Sequence, residues 1–519
     1  MGGRDGAGTA AGLSVFDAGA PEPCPAPFNM AAHVLARAGT QPDKVALAVV
    51  DARGARRWSY GRLEGAVRGV AGGLTDRGLA PGDRVLMRLG NDVEFPILFL
   101  ACLAADLVPV PVSAQLTARE LAALLPGLAP ALIVQGEGLA LPDPLPCPVM
   151  PAVALAAMHD GAPAPYAMGD PERPGYIVYT SGTSGRPRAV VHAHRAIWAR
   201  RMILEGWYGL GPDDRLMHAG AFNWTYTLGT GLMDPWSVGA TALIPGAGAD
   251  RHSLPLLLRR HEASIFAAAP GVFRQILETG APLDLPRLRH GLSAGEALPA
   301  EVARDWRART GTAIHEALGM SECSTFISGS PAAPARPGTL GRPQTGRRVA
   351  VLAPRGTAPV PLGEPGLLAV SARDPGLMLG YRGAEAETRA RFRGEWFVTG
   401  DMVRMEADGA IAYLGRCDDM MNAGGYRVSP LEVETALAEH PEIREAAATS
   451  VPVKAGAEVI AAFYTADHDI AEEALAGWCA GRLARYKCPR IFLRVAALPR
   501  GANGKLRRGA LRKTWKGPE

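Results

Sequence analysis

Two periods of hydrophobic and polar positions alternate along most of this chain. In "YGRLEGAVRGVAGGLTDRG", Leu63, Val67, Val70, Ala71 and Leu74 share one face of a 3.6-residue repeat, which predicts an amphipathic helix. "RVLMRL" (84–89) follows the turn "PGD" and predicts a strand. "ALIVQ" (131–135), "YIVYT" (176–180), "ATALI" (240–244) and "SIFAAA" (264–269) are short apolar runs with helical segments between them. That alternation predicts βαβ units, hence an α/β fold of mostly parallel sheets with helices outside. The most apolar stretch, "FPILFLACLAADLVPVPV" (95–112), is broken by Asp106 and three prolines, so it predicts a buried helix and strand rather than a membrane span. Residues 1–12 predict a disordered tail.

The pattern changes near residue 415. "YLGRCDDMMNAGGYRVSPLEVETALAEH" holds a polar turn, a Gly-Gly loop and a helix. "REAAATSV" and "EVIAAFY" read as strands, 471–485 as a helix and "RIFLRVAAL" as another strand. The expected division is an N-terminal domain over 13–416 and a small α+β domain over 417–519, a usual domain size.

A chain of 519 residues is too long for one core. Its net charge of +4 is too small for a general nucleic-acid binder. Basicity is carried by arginine: only six lysines occur, and five of them follow residue 450. The seven cysteines are scattered, with no CxxC pair, which points to a reducing compartment rather than to a disulfide framework or zinc site. The first residues lack the apolar core of a signal peptide, so a cytoplasmic location is expected.

Against this background "YTSGTSGRPRAVVHAH" (179–194) stands out. Glycines let backbone N–H groups approach a ligand, and a helical run expected from about Ala193 would add a helix N-terminus favouring an anion. Thr180, Ser181, Thr183 and Ser184 add hydroxyls, and Arg188 adds a guanidinium suited to phosphate. The spacing is not that of a Walker A loop.

Four further segments follow in order: "LSAGEAL" (292–298), "HEALGMSECS" (315–324), "EWFVTGDMVRMEADGAIAYLGRCDDMMNAGGYRVSPLEVE" (395–434) and "LPRGANGKLRRGALR" (498–512). Together with the first loop they resemble the adenylate-forming (AMP-binding) superfamily, in particular acyl-CoA synthetases and benzoate-CoA ligases, over about residues 30–512. The resemblance implies a large N-terminal domain of βαβ-layered sheets with a small mobile C-terminal lid. It also implies two half-reactions: a carboxylate attacks the α-phosphate of ATP to give acyl-AMP and pyrophosphate, and a thiol then displaces AMP. It casts Lys505 as the cation bridging carboxylate and α-phosphate, Glu322 as the Mg2+ ligand, and Ser321 as the hydroxyl on the α-phosphate. Thr180, Ser181, Gly182, Thr183, Ser184, Gly185 and Arg188 would surround the phosphates. Gly295, Glu296, Ala297, Leu318 and Gly319 would line the adenine, and Asp401 and Arg416 would meet the ribose or phosphates. Asp418 would be the hinge, and Gly425, Tyr426 and Arg427 the loop that meets coenzyme A. Two positions depart from the family pattern: Arg188 stands where lysine is usual, and Leu318 where an adenine-stacking aromatic is.

By the same resemblance "AFNWTYTLGTGLMDPWSVGAT" (221–241) carries the acyl pocket, with Trp224 as gate and Tyr226 and Asn223 as lining. No acidic residue occurs from Ala221 to Met233, which disfavours an α-amino acid, because a buried ammonium needs a carboxylate partner. Gly229, Gly231 and Leu318 suggest an aromatic or short- to medium-chain acid. The expected activity is therefore an ATP-dependent acid:CoA ligase with ATP, Mg2+ and coenzyme A, and self-association as a homodimer is left open. Two alternatives stand beside it. One is a freestanding adenylation enzyme loading a separate carrier protein, since no fused carrier domain follows residue 512. The other is a nucleotide-binding homologue with impaired catalysis, for which Arg188 is the support.

Overall fold

In the computed structural model the described residues are all but 1–7, 10–11, 182–186, 247–248, 250–251, 281–282, 418, 424–425, 455–456, 502–505 and 516–519. The chain forms two compact units. The first comprises Met1–Gly8, Phe16–Arg348 and Val370–Phe397, and the second Thr9–Val15, Val349–Ala369 and Val398–Glu519.

Unit one is built on a nine-stranded sheet in the order Arg342–Pro343, Ser324–Ser328, Ile314–Met320, His290–Ala294, Ile265–Ala268, Arg215–His218, Thr241–Pro245, Val45–Val50, Ala55–Ser59. Its central six strands are parallel and its flanks antiparallel. On one face the helices Leu254–Arg260, Pro270–Glu278 and Ala300–Thr310 pack Leu257, Phe273 and Trp306 against Phe266 and Met217. A second sheet, Val108–Pro111, Arg84–Arg88, Leu132–Gln135 and Val149–Pro151, is wholly parallel. The helix Tyr60–Thr75 buries the predicted stripe of Leu63, Val67, Val70, Ala71 and Leu74 completely. The apolar 95–112 segment resolves into the helix Glu94–Ala104 and the strand Val108–Pro111, as the two-element reading requires.

One sheet departs from the parallel expectation. "YIVYT" belongs to Pro174–Ser181, which pairs antiparallel with Pro187–Ala193 in a three-stranded sheet. The residues that follow the glycine-rich loop are therefore strand, and the next helix begins only at Ala196. The expected helix N-terminus behind the loop is corrected to a β-hairpin. Val190 and Val191 are β-branched, and Val190 is fully buried in the hairpin while Ile177 and Val178 are buried on the partner strand.

In unit two Glu445–Lys454, Ala457–Thr465 and Ile491–Arg494 form a mixed sheet. Pro430–Ala438 and Glu472–Ala480 cover one face and bury Val433, Leu437, Leu475 and Cys479. The second of these helices is shorter than the 471–485 expected; a 3-10 turn takes up Arg485–Lys487.

Candidate active site

The glycine-rich loop joins the two strands of the hairpin, and Gly182, Thr183, Ser184 and Gly185 lie outside the described residues. Ser181 is described as backbone only, the last residue of its strand. Thr180 and Arg188 are cross-strand partners. Arg188 is held twice. Its Nε sits 2.5 Å from Glu387 Oε2, and its guanidinium carbon lies 5.3 Å from the centroid of the Tyr381 ring.

Ser321 and Glu322 occupy the turn between the antiparallel strands Ile314–Met320 and Ser324–Ser328. Gly319 enables that turn: a Cβ there would meet the Ser324 carbonyl at 2.5 Å and Thr325 Cα at 2.7 Å. The turn is fastened to the hairpin and to the segment after it. His192 Nε2 donates to the Ser321 carbonyl at 2.7 Å, and the Met378 amide donates to the Glu322 carbonyl at 2.7 Å. The Tyr381 hydroxyl donates to Glu322 Oε1 at 2.6 Å. Burial keeps His192 neutral, its pKa lowered to about 4, while its ring stacks on Tyr176 at 4.9 Å. Structure thus brings Thr180, Arg188, Ser321 and Glu322 together, and adds His192 and Tyr381. Sequence reasoning missed both. Tyr381 is 59 residues from its partner Glu322, beyond any local pattern.

Among the residues expected to line the adenine, Gly295 and Leu318 directly follow Ala294 and Ala317, which are parallel partners. Gly295 has φ +98°, a left-handed conformation that a side chain would strain. Ala297 is exposed and Glu296 half-buried. Glu316, one residue before that pair, accepts from the Leu298 amide at 2.9 Å, and burial pushes its carboxyl up to about 7.

Trp224 and Asn223 are half-buried at the start of the helix Thr225–Leu228. Tyr226 is clamped. Its hydroxyl donates to the Leu292 carbonyl at 3.0 Å, and its ring lies 5.7 Å from Trp207 and 4.4 Å from His218. Gly229 and Gly231 are crowded by neighbouring side chains. A Cβ on Gly229 would strike the Arg200 guanidinium at 2.2 Å, and one on Gly231 would meet His218 Cβ at 2.8 Å. They are small because side chains already fill those places. Asp234, just past the acid-free stretch, is buried and paired with Arg200 at 2.6 Å, and it also accepts from Tyr208 at 2.8 Å.

In unit two, Asp401 and Arg416 are cross-strand partners. Asp401 Oδ1 accepts from Arg416 Nη1 at 3.1 Å and from the Tyr413 hydroxyl at 3.2 Å. Tyr426 and Arg427 belong to the strand Tyr426–Val428, paired antiparallel with Met421–Ala423; Gly425 and the expected hinge Asp418 lie outside the described residues. Lys505 also lies outside them, although Arg500 and Leu506 form an antiparallel bridge on either side of its segment.

The profile of the AMP-binding enzyme family matches residues 34–382, and that of the AMP-binding enzyme C-terminal domain matches 432–505. The chain is 31% identical over 478 residues to the benzoate–CoA ligase of Thauera aromatica, covering 84% of this chain and 87% of that protein. It is 29% identical over 483 residues to the 3-hydroxybenzoate–CoA/4-hydroxybenzoate–CoA ligase of the same organism, covering 88% and 92%. Among solved structures, the anthranilate CoA ligase AuaEII in complex with anthranoyl-AMP matches with a TM-score of 0.84 at 26% identity, over 95% of this chain and 98% of that one. The benzoate CoA ligase from Burkholderia xenovorans LB400 gives 0.82 at 29% identity, over 93% and 100%. The fold, the hairpin with its attached Ser321–Glu322 turn, and these matches over both segments make the chain a member of the AMP-binding enzyme family of adenylate-forming enzymes.

Proposed function

We infer that the protein is an AMP-forming acid:CoA ligase whose acid is aromatic or a short- to medium-chain acyl acid. The observation that carries this reading is the Ser321–Glu322 turn locked to the phosphate-loop hairpin through His192. The names of the relatives, benzoate and hydroxybenzoate ligases, support the acid class. So does Asp234: committed to Arg200, it is no partner for a substrate ammonium group.

In the first half-reaction a carboxylate oxygen attacks the α-phosphorus and pyrophosphate leaves. Two anions meet, so donors and cations must be in place where charge develops. Ser321 offers a hydroxyl to the α-phosphate, the hairpin loop offers N–H groups, and Lys505 bridges the attacking carboxylate and the α-phosphate. Glu322 suits Mg2+. Oε1 is tied to Tyr381, and Oε2 has no hydrogen-bond or ion-pair partner among the described residues. Among those residues no group of three or more His, Cys, Asp or Glu gathers, which fits an ion held by one carboxylate, phosphates and water rather than by a protein cage. Bound there, Mg2+ would neutralise phosphate charge. Asp401 accepts the ribose hydroxyls and Arg416 orients its carboxylate. In the second half-reaction the thiol of coenzyme A, met by the 425–427 loop, attacks the acyl carbon and AMP leaves. Asp418 is the hinge about which a C-terminal lid, 417–519, exchanges the lysine for that loop. A cytoplasmic location is supported by the seven unpaired cysteines, which suit a reducing compartment. No helix among the described residues is long and apolar enough to cross a membrane.

The test is a panel of acids with ATP and Mg2+, offered coenzyme A or a phosphopantetheinylated carrier protein, with pyrophosphate and thioester both measured. Aromatic or medium-chain acids with coenzyme A are expected to lead. An α-amino acid as best substrate, or carrier loading without CoA ligation, refutes the reading. Lys505→Ala should slow adenylation by ~10²–10³. It should spare acyl transfer from supplied acyl-adenylate.

A further inference from the structure

Glu322 sits on a turn, and neither flanking strand holds its carboxylate. What holds it comes from residues 378–381. The Met378 amide grips the Glu322 carbonyl, and the Tyr381 hydroxyl grips Oε1. Tyr381 is itself fixed. It is a cross-strand partner of Val190 on the hairpin, its amide donates to Thr388 Oγ1 at 2.9 Å, and only 3% of its surface is exposed. Arg188 lies over its ring and is anchored by Glu387.

We propose that Tyr381 is a positioning residue for the metal carboxylate: its hydroxyl holds Glu322 Oε1 so that Oε2 remains for the nucleotide-bound Mg2+, and Arg188 over its ring ties that orientation to the phosphate hairpin. The proposal rests on the reading of Glu322 as the metal ligand. Two physical points support it. Mg2+ demands near-ideal octahedral geometry, so a carboxylate free to rotate binds it less well. Outer-shell partners of ligating groups typically contribute ~10–100-fold to metal affinity. The place of Arg188 accounts for the departure from lysine. A planar guanidinium can lie on an aromatic face while its Nε pairs with Glu387, a combination an ammonium cannot match.

Tyr381→Phe removes one oxygen and keeps the ring, its packing and the cation above it. Full-length wild type, Tyr381→Phe, Glu322→Gln and the double variant are titrated with Mn2+ in the presence of ATP, without acid or coenzyme A, and free Mn2+ is read by electron paramagnetic resonance. Tyr381→Phe should weaken Mn2+ binding about tenfold. It should also raise the half-saturating Mg2+ for adenylation by a similar factor and leave acyl transfer and the melting temperature as in wild type. Because Tyr381 acts through Glu322, the double variant should bind no more weakly than Glu322→Gln alone. Unchanged Mn2+ affinity in Tyr381→Phe overturns the proposal. So does a further loss in the double variant, or a lowered melting temperature with both half-reactions impaired. The titration needs no acid substrate, so failure of every acid in the panel would count against the ligase reading while this result stood on its own. Glu322→Gln with wild-type Mn2+ affinity would remove the metal assignment itself.

Discussion

Asp234 decides whether the acyl region holds a free negative charge, and one neighbour settles the matter. Arg200 Nη2 and Nε both reach its carboxylate, at 2.6 Å and 2.9 Å, and the two side chains are 6% and 2% exposed. Tyr208 and Thr230 complete the network, their hydroxyls 2.7 Å apart. Such a pair is hard to break from one side, because the survivor is a buried charge without a partner. Arg200→Met should therefore lower unfolding free energy by about 3–5 kcal/mol in denaturant titrations. A loss below about 1 kcal/mol would mean that water or another cation replaces Arg200 at Asp234. At the same scale, Gly229 and Gly231 are requirements of Arg200 and His218.

At the scale of elements, the site is two β-hairpins fastened together. One carries the glycine-rich loop between Pro174–Ser181 and Pro187–Ala193; the other carries Ser321 and Glu322 between Ile314–Met320 and Ser324–Ser328. The second turns tightly. Its register shifts between Leu318 and Gly319, and Ser324 adopts a φ of +64°, uncommon for a residue with a side chain. Gly319→Ala should force the strands apart at the Ser324 carbonyl, since backbone cannot yield as a side chain tip would. Overpacking of this kind costs about 1–3 kcal/mol. Both the melting temperature and the adenylation rate are expected to fall. A variant that melts and adenylates as wild type would show that the turn has slack.

For the whole molecule, pH acts mainly through buried imidazoles. Burial lowers His33, His192 and His315 to about 4, and His194 and His218 to about 3. An unfolded histidine titrates near 6.5. Between those values the unfolded chain binds more protons, so acid favours unfolding. Glu316 works the other way. Its folded value is raised to about 7, so its contribution grows as pH falls through that value. Burial raises Glu94 as well, but it also lowers His261 and His290, so seven imidazoles outweigh two carboxyls. The melting temperature should therefore decline as pH falls from about 6.5 to 5. A flat or rising profile across that window, followed by differential scanning fluorimetry, would contradict this account.

The sequence by itself determined the periodic elements and the family. Amphipathic helices and apolar strands are local patterns, so Tyr60–Thr75, Glu94–Ala104 and the parallel strands were legible from spacing. The motif segments that carry the family were legible too, because each is contiguous in the sequence. Tertiary structure alone decided what stands behind those motifs. A strand rather than a helix follows the glycine-rich loop, because Val190 and Val191 find strand partners on both sides, in Val178 and Ile177 and in Tyr381 and Gly380. Tyr381 and His192 became part of the site because they meet Glu322 and Ser321 across 59 and 129 residues of chain. Asp234 was neutralised by a partner 34 residues away. Long-range hydrogen bonds and ion pairs of this kind leave no periodic trace, since they depend on which surfaces the folded layers bring within about 3 Å.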